Sequence, residues 1–370
     1  DNQGNIIMGR EAGYNNSSND NIFVGSRAGN ANTIGNDNIF IGPDAGLVNQ
    51  TGNDNIFIGP DAGHDNTGSD NIFIGSGAGY NTTSGIDNIF IGTKAGYYGE
   101  TGQRNIFMGI SAGKNNISSD NIYIGPSSGY RSSSGDKNIF IGSNSGFNNS
   151  YGNTSIYIGA EAGYKSNKDN NLFIGYRSGY NTSDGTGNIF IGTDSGYTNE
   201  KSNYNIGIGF EALNQFKSSL ESSDGYNVVV GYQAGKNMGK NAGNNASFSY
   251  QNIIMGYQAV SEGDINQDNI VMGTQAGKDI DNGRMFVGNA IIGSHACEKS
   301  EHSVNSCVFG PNANRMGKGG NSNVIMGQMA GYIMGVDENA ATVLKNTWSS
   351  GSYNITVDMP YGTASYYFKD

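Results

Sequence analysis

The hydrophobic positions of this chain recur in one short pattern. The pentapeptide Asn-Ile-Phe-Ile-Gly is found unaltered six times, at 38–42, 55–59, 71–75, 88–92, 138–142 and 188–192. Its closing glycine returns in a fixed rhythm, 16-17-17, which repeats from Gly9 to Gly209 and loosens after that. β-branched and aromatic runs of this length predict strands, and a fixed short period predicts a solenoid.

Each period predicts one coil, built from a strand and tight turns. After the strand, an Ala-Gly pair such as Ala62-Gly63 supplies small residues where backbone passes close to backbone. A polar stretch follows, whose Asn and Gly residues tolerate left-handed turn conformations. Coils that stack at ~4.8 Å pair their strands in parallel. The Asn before each strand is then expected to form a side-chain ladder that satisfies backbone groups.

The 16-17-17 rhythm repeats as a three-coil block, so that Gly59, Gly109, Gly159 and Gly209 are equivalent, and two interpretations explain it. Duplication of a three-coil block would preserve the three lengths, with each coil forming one turn of the solenoid. Alternatively, three segments make one turn, and a single chain imitates a three-chain fibre. We favour duplication together with a true trimer.

The strands also predict self-association. In Ile39-Phe40-Ile41 the two Ile side chains point to one face and the Phe to the other, so both faces are apolar. One face fits the interior of the coil, but so short a coil is too small to cover the second. An identical neighbouring chain is the simplest cover. The predicted fold is therefore an all-β, parallel β-solenoid (β-roll) of 16–17-residue coils, assembled as a homotrimeric fibre.

The unit N-I-F-I-G-x-x-A-G-x-x-N-x-x-G covers about residues 5–331 and resembles the repeats of phage tail-fibre and related cell-surface fibre proteins. It is also similar to the heads of trimeric autotransporter adhesins, whose shorter repeat shares the x-x-hydrophobic-x-I-G core. The resemblance implies a left-handed parallel β-roll, a trimer, and exposure outside a cell or on a virion. Many such fibres end in a self-cleaving chaperone domain, and the lack of one here fits either a cleaved or a truncated product.

Composition narrows the classes of function. Hydrophobic residues make up 35% and charged residues 14% of the chain, both below the values of ordinary globular proteins. The net charge of −11, without a basic stripe, argues against nucleic acid as a partner. No apolar run approaches the ~18–20 residues that span a bilayer, so we expect no membrane insertion. No catalytic constellation is found, and we expect a non-enzymatic protein without a cofactor.

One cluster holds both cysteines and two of the three histidines: His295, Cys297, His302 and Cys307. Two thiols and two imidazoles suit tetrahedral zinc, but their spacing matches no standard finger. Cys297 replaces the Gly of the Ala-Gly pair and Cys307 the first Ile of a strand, so both are expected to face the coil interior. A disulfide between Cys297 and Cys307 and inert buried thiols are the two favoured interpretations, ahead of a metal site.

Asp and Tyr residues also recur at fixed places in many of the coils. Asp recurs before the strand from Asp20 to Asp120, where it either forms turns or binds Ca²⁺, and turns are favoured because the row is broken at Arg104 and Lys137. Tyr recurs after the small pair, from Tyr14 to Tyr197. That row either stacks on sugar rings or packs coil on coil or against a neighbouring chain, and packing is favoured.

Recognition is predicted where the regularity fails. Beyond Gly209 the closing glycines are Gly231 and Gly256, so two coils are lengthened, and loops on a rigid scaffold concentrate binding residues. The tail after Gly335 alternates like a strand at 353–357 and forms a cap, a joint to another domain or a receptor-binding tip. The predicted receptor-binding residues are Tyr226, Phe248, Tyr250 and Trp348.

These features divide the chain into regular repeats at 1–209, an irregular solenoid with longer loops at 210–335, and a small β terminal module at 336–370. The predicted function is that of an extracellular or virion fibre or adhesin segment whose loops bind a cell-surface glycan or protein receptor, strengthened by avidity. A purely structural filament or sheath subunit without a receptor is the rival hypothesis. An enzyme-bearing tailspike is disfavoured, because the carboxylates do not converge.

Overall fold

A computed structural model of the chain describes residues 4–216, 225–238, 250–262, 265, 267–280, 286–300, 303–316, 320–321, 324–330, 353–359 and 362–368. Within these ranges all regular secondary structure is β-strand, and no helix is present. The chain forms two compact units, Asp1–Thr186 and Gly187–Asp370, which are described separately. The predicted all-β class is confirmed.

The first unit stacks short strands into one parallel ladder. Ile22 pairs with Ile39 and Phe23 with Phe40, so a strand lies beside the equivalent strand of the next coil. Each coil is therefore one turn, which excludes the interpretation with three segments per turn. The strands are β1 (Ile6–Met8), β2 (Ile22–Val24), β3 (Ile39–Ile41), β4 (Ile56–Ile58), β5 (Ile72–Ile74), β6 (Ile89–Ile91), β7 (Ile106–Met108), β8 (Ile122–Ile124), β9 (Ile139–Ile141), β10 (Ile156–Ile158) and β11 (Leu172–Ile174).

The second unit continues the parallel pattern through longer coils. Ile206 pairs with Val228 and Val228 with Ile253, so insertions leave the strand register intact. The main ladder contains β12 (Ile189–Ile191), β13 (Ile206–Ile208), β14 (Val228–Val230), β15 (Ile253–Met255), β16 (Ile270–Met272), β18 (Ala290–Ile292), β20 (Cys307–Phe309) and β22 (Val324–Met326). A smaller parallel sheet joins β17 (Phe286–Val287), β19 (Ser303–Val304) and β21 (Gly320–Asn321), and an antiparallel hairpin joins β23 (Tyr353–Met359) to β24 (Gly362–Phe368).

The hairpin confirms that the tail forms strands. Whether residues 336–370 make a separate module, and whether the solenoid divides at residue 209, stay predictions.

The interior of the first unit is a column of aromatic rings. Phe40 is fully buried between Phe23 and Phe57, with ring centroids 5.1 and 4.8 Å away. The ring position, as we call the middle residue of each strand, holds Phe or Tyr from β2 to β11. Burial of an aromatic side chain contributes a large share of core stability, and stacking adds to it.

A ladder of asparagine side chains closes most of the described coils, as predicted, with Ser155 and Ser306 in the same row. Asn38 donates its Nδ2 to the carbonyl of Gly52 at 2.8 Å, which ties the end of its coil to the beginning. Its Oδ1 accepts the backbone N–H of Asn55 in the next coil at 3.1 Å. The side chain is buried, and every bond replaces one that water would otherwise supply.

Two glycines of each coil in the first unit are needed for different reasons. Gly42, which closes β3, lies against the backbone of Gly59, where a Cβ would come within 2.6 Å of the carbonyl carbon. Gly46 of the small pair has a φ of +57° and lies against the ring of Phe40, 2.5 Å from an added Cβ. The backbone of Gly46 does lie close to the next coil, with its N–H 2.9 Å from the carbonyl oxygen of Ala62, but the missing side chain makes room for the aromatic ring.

The repeated Asp residues occupy turns. Asp20, Asp54 and Asp87 have φ values of 57°, 56° and 58°, a left-handed conformation that Asp and Asn tolerate better than other residues. This confirms the turn-forming role. Arg104, which takes the place of Asp in one coil, donates its Nε to Asp120 of the next coil at 2.6 Å. This hydrogen bond lowers the pKa of the Asp120 carboxyl.

Candidate functional site

The most extended surface feature is the outer strand face, which we define as the first and third residues of each strand in the main ladders. In the first unit all of these side chains are aliphatic, and in both units none is charged. Ile41 is 37% exposed, whereas Phe40 between its neighbours Ile39 and Ile41 is 0% exposed. The alternation predicted for Ile-Phe-Ile is therefore confirmed.

The outer strand face is large for a surface left in water. Strands ~4.8 Å apart and two outward side chains per strand make the strip roughly 50 Å long and 10 Å wide in the first unit. An apolar patch of roughly 500 Å² is the size that marks interaction sites on soluble proteins. The same face of the second unit exposes Ile253, Met255 and Ile270 by 38–40%.

Tyrosines on the surface of the first unit stack on each other. Tyr80 lies between His64 and Tyr97, with ring centroids 4.6 and 4.9 Å away. Tyr164 lies in the same way between Phe147 and Tyr180. The described rings thus pack coil on coil, which was the favoured interpretation, and neighbours cover their faces. A sugar ring inside such a row would meet only ring edges.

The second unit carries an aromatic ladder that the sequence analysis missed. Phe210, Tyr232 and Tyr257 follow the strand-closing glycines of successive coils, with ring centroids 5.1 and 5.2 Å apart and exposures of 40–49%. These three residues all come directly after a strand-closing glycine, which is the signal that could have identified them. The long insertions make their spacing along the chain irregular, so that the period is not apparent.

An amide ladder runs one residue further along the same coils. Gln233 donates its Nε2 to Glu211 at 2.6 Å, and Gln258 donates to Gln233 at 2.8 Å. Lys236 pairs with Glu211 at 2.6 Å. Burial raises the pKa of Glu211, but the bonds from Lys236 and Gln233 outweigh it, and the pKa lies below its usual value. The carboxylate therefore stays ionised and anchors the ladder.

The predicted receptor-binding residues are only partly described. Tyr226 is 48% exposed and stacks on Tyr204, with ring centroids 5.2 Å apart. Tyr250 is half-buried and bridges Gln267 of the following coil. Phe248 and Trp348 lie outside the described residues, as do the insertions 217–224 and 239–249. Tyr226 and Tyr250 thus border the two insertions, and all four assignments stay predictions.

The cysteine and histidine cluster is divided by the coil wall. Cys297 is fully buried, and burial raises the pKa of its thiol to about 12, whereas Cys307 begins β20 in the half-buried outer row. The expectation that both face the interior is wrong for Cys307, because strand alternation sends Val308 inward instead. Both thiols are free in this structure, and a bridge between them stays a prediction for the oxidised protein.

Of the two histidines in this cluster, the structure describes only His295. His295 Nδ1 lies 2.8 Å from Glu298, which also accepts the Nε of Arg315 at 2.6 Å. Burial raises the pKa of Glu298, but the bonds from Arg315 and His295 outweigh it and hold the pKa below its usual value. His302 lies outside the described residues. Across the described part of the chain, no three His, Cys, Asp or Glu side chains are placed to hold a metal ion.

Among the residues that the structure describes, no helix has the length and hydrophobicity needed to cross a membrane. Comparison of the chain with protein-family models, with curated proteins and with solved structures gave no match.

Proposed function

We propose that the protein is a segment of an extracellular or virion fibre that carries recognition loops to a cell surface. The observation that carries this proposal is the combination of a ladder-stabilised solenoid with insertions that leave its register intact. Such a scaffold keeps loops in fixed positions, and repeated weak contacts along a fibre multiply into strong attachment. The proposed activity is mechanical and adhesive, with no catalytic step, and the partner is a glycan or protein receptor.

The proposal includes a homotrimer joined through the outer strand face. This face is aliphatic in the first unit, uncharged in both units and regular, and its ~4.8 Å spacing along the axis is matched by the same face of another copy. Because the strip is only two side chains wide, three chains can turn their strips towards a common axis. Burial of apolar surface supplies the driving force.

The trimer is tested by light scattering of the full chain. We expect about three times the 39.0 kDa chain mass. Replacing Ile91 and Ile124 of the outer strand face by Glu should dissociate the assembly, because buried like charges repel. Ile34→Glu is the matched control, since Ile34 is 65% exposed on a turn outside that face. A stable monomer of the unaltered chain would reject the trimer.

Adhesion is tested by trimming the insertion at 236–251 to the length of a regular coil and measuring attachment to cells and to a glycan array. Loss of attachment with an unchanged thermal transition supports recognition by that loop. Removing one regular coil, 93–109, is the control and should leave attachment intact. Binding of the unaltered chain to no cell or glycan would favour the rival hypothesis of a purely structural filament.

A further inference from the structure

Two pairs of tyrosines in the second unit stack across neighbouring coils on the surface. Tyr204 and Tyr226 have ring centroids 5.2 Å apart and planes inclined by 10°. Tyr232 and Tyr257 are also 5.2 Å apart, inclined by 9°. All four are between 43 and 49% exposed, so an oxidant in solution has access to their phenol groups.

Each pair encloses one of the two longest intervals between paired strands that the structure describes, β13 to β14 and β14 to β15. Residue Tyr204 precedes β13 and Tyr226 precedes β14, whereas Tyr232 follows β14 and Tyr257 follows β15. A covalent bond within either pair would therefore close a chain segment that contains an insertion. Closing such a segment removes conformational entropy from the opened chain and so stabilises the coils at the base of the loop.

We propose that Tyr204–Tyr226 and Tyr232–Tyr257 are sites of dityrosine formation when a peroxidase-type oxidant acts on the protein with hydrogen peroxide. Each phenol loses one electron and one proton to become a tyrosyl radical. The two radicals join through the ring carbons next to their oxygens, and the hydrogens on these carbons leave as the rings regain aromaticity and the phenol groups reform. One hydrogen peroxide takes up the two electrons and two protons and becomes two water molecules.

The neighbours of each ring decide which tyrosines can couple. Tyr232 stacks on Phe210 on one side and on Tyr257 on the other, and only the second neighbour carries a phenol. Tyr130 of the first unit stacks on Phe147. Radical coupling needs two phenols in contact, so Tyr130 serves as a built-in negative control.

Exposure separates the named pairs from the tyrosine stacks of the first unit. Tyr80 and Tyr97 have ring centroids 4.9 Å apart, and both side chains are half-buried rather than exposed. Because the oxidant must reach the phenol, this pair should couple more slowly than the two exposed pairs.

The test treats the full chain with a haem peroxidase and limiting hydrogen peroxide. We expect dityrosine fluorescence and a mass loss of two hydrogens per link. On a denaturing gel the protein should still migrate as a single chain. Peptide mapping should find cross-linked peptides that join the two named pairs. Tyr257→Phe keeps the ring stack and should remove the 232–257 peptide while the 204–226 peptide persists.

Three results would overturn the proposal. These are links only between separate chains, coupling at Tyr130 as frequent as at the named pairs, or tyrosine oxidation without either predicted peptide. None of these readouts depends on cell attachment, so the proposal and the adhesive function fail independently.

Discussion

The coils of the first unit and those from β13 onward in the second unit fill their interiors in different ways. In the first unit, from β2 onward, a ring projects inward from the ring position, and a glycine lies at the facing position, which we define as the residue after the small Ala or Ser. In the second unit the ring position of β13 is Gly207, and Leu213 at the facing position is buried in its place. Ile254 faces Val260, and Ile291 faces Cys297, in the same way.

A side chain larger than hydrogen thus occupies the facing position only where the strand contributes no ring, and Gly235 remains at that position opposite Val229. Where the strand contributes less volume, another side chain of the coil is buried, Leu213 in the coil of Gly207 and Met238 in the coil of Val229, because an interior packed like a crystal leaves no void unfilled without loss of stability. The exchange has a conformational cost. Leu213, Val260 and Cys297 have φ values of 52°, 50° and 51°, and a left-handed backbone costs about 1–2 kcal/mol for a residue with a Cβ.

The largest expected effect comes from adding one methyl group at the facing position of each unit. Gly46→Ala places a Cβ 2.5 Å from the ring of Phe40, whereas Gly235→Ala places it 3.3 Å from Val229. Overpacking and left-handed backbone together should lower the free energy of unfolding by about 3–4 kcal/mol in the first case. The second variant should lose only about 1–2 kcal/mol, the backbone part.

Urea denaturation measures the free energy of unfolding of both variants. A double variant tests whether volume can be exchanged between the ring position and the facing position. Phe40→Ile with Gly46→Val copies the Ile254–Val260 combination and should recover part of the loss of Gly46→Val alone. Equal losses for Gly46→Ala and Gly235→Ala, or no recovery in the double variant, would break the exchange rule.

The asparagine ladder should give the next largest effect. Asn88 donates to the carbonyl of Gly102 at 2.8 Å, and its Oδ1 accepts the backbone N–H of Asn105 at 3.0 Å. Asn88→Ala leaves buried groups without partners and should cost about 2–3 kcal/mol. Asn88→Ser should cost less, because Ser155 occupies this row naturally and accepts the N–H of Asn171 at 3.2 Å. Chemical denaturation measures both, and similar losses would contradict the ladder's role.

The ion pairs of the two units should also differ in how much each contributes to stability. Arg315 holds the nearly buried Glu298, and Arg315→Ala should cost about 2 kcal/mol at pH 7 because a buried carboxylate loses its partner. Arg104→Ala, the matched surface variant, should leave stability nearly unchanged, because solvent screens its exposed pair with Asp120. The pKa of Glu298 is lowered on folding, so its stabilisation is present above the unfolded pKa and lost as pH falls through the folded value.

Acid titration of the thermal transition checks this difference. Arg315→Ala should have a weaker loss of stability below about pH 4 than the unaltered chain. Identical acid profiles would show that Arg315 does not control the ionisation of Glu298.

The smallest effect concerns the tyrosines in the first unit's aromatic column. Tyr123 bonds Ser132 at 2.7 Å, and burial raises the pKa values of Tyr123 and Tyr157. Groups that stay protonated in the folded state lose stabilisation as pH rises above the unfolded value of about 10, by about 1.4 kcal/mol per pH unit for each tyrosine.

A double substitution provides the control for this alkaline loss. Tyr123→Phe with Ser132→Asn copies the Phe140–Asn149 pair and should reduce the slope of stability against pH between pH 10 and 11. The slope is measured by urea denaturation at several pH values. An unchanged slope would show that Tyr123 does not cause the loss.

The outer strand face could be predicted from the sequence, because it depends only on strand alternation and on the period. Strand alternation alone places Ile39 and Ile41 on one face and Phe40 on the other, and the period alone stacks them. The ladder of Phe210, Tyr232 and Tyr257 was not predicted, because the lengthened intervals bring these residues together only when register is kept across each insertion. The outward position of Cys307 could have been predicted, because strand alternation places the first residue of β20 in the same row as Ile39.

The strands, the repeat period and the asparagine ladder could be predicted from the sequence alone, since they depend on local periodicity and on hydrogen bonds between equivalent residues. Only the tertiary structure decided that a single period makes one turn, because the alternative of three segments per turn has the same local pattern. It also decided what each glycine meets. Gly42 lies against Gly59 and Gly46 against Phe40, and such contacts depend on how the coil closes rather than on the spacing of residues along the chain.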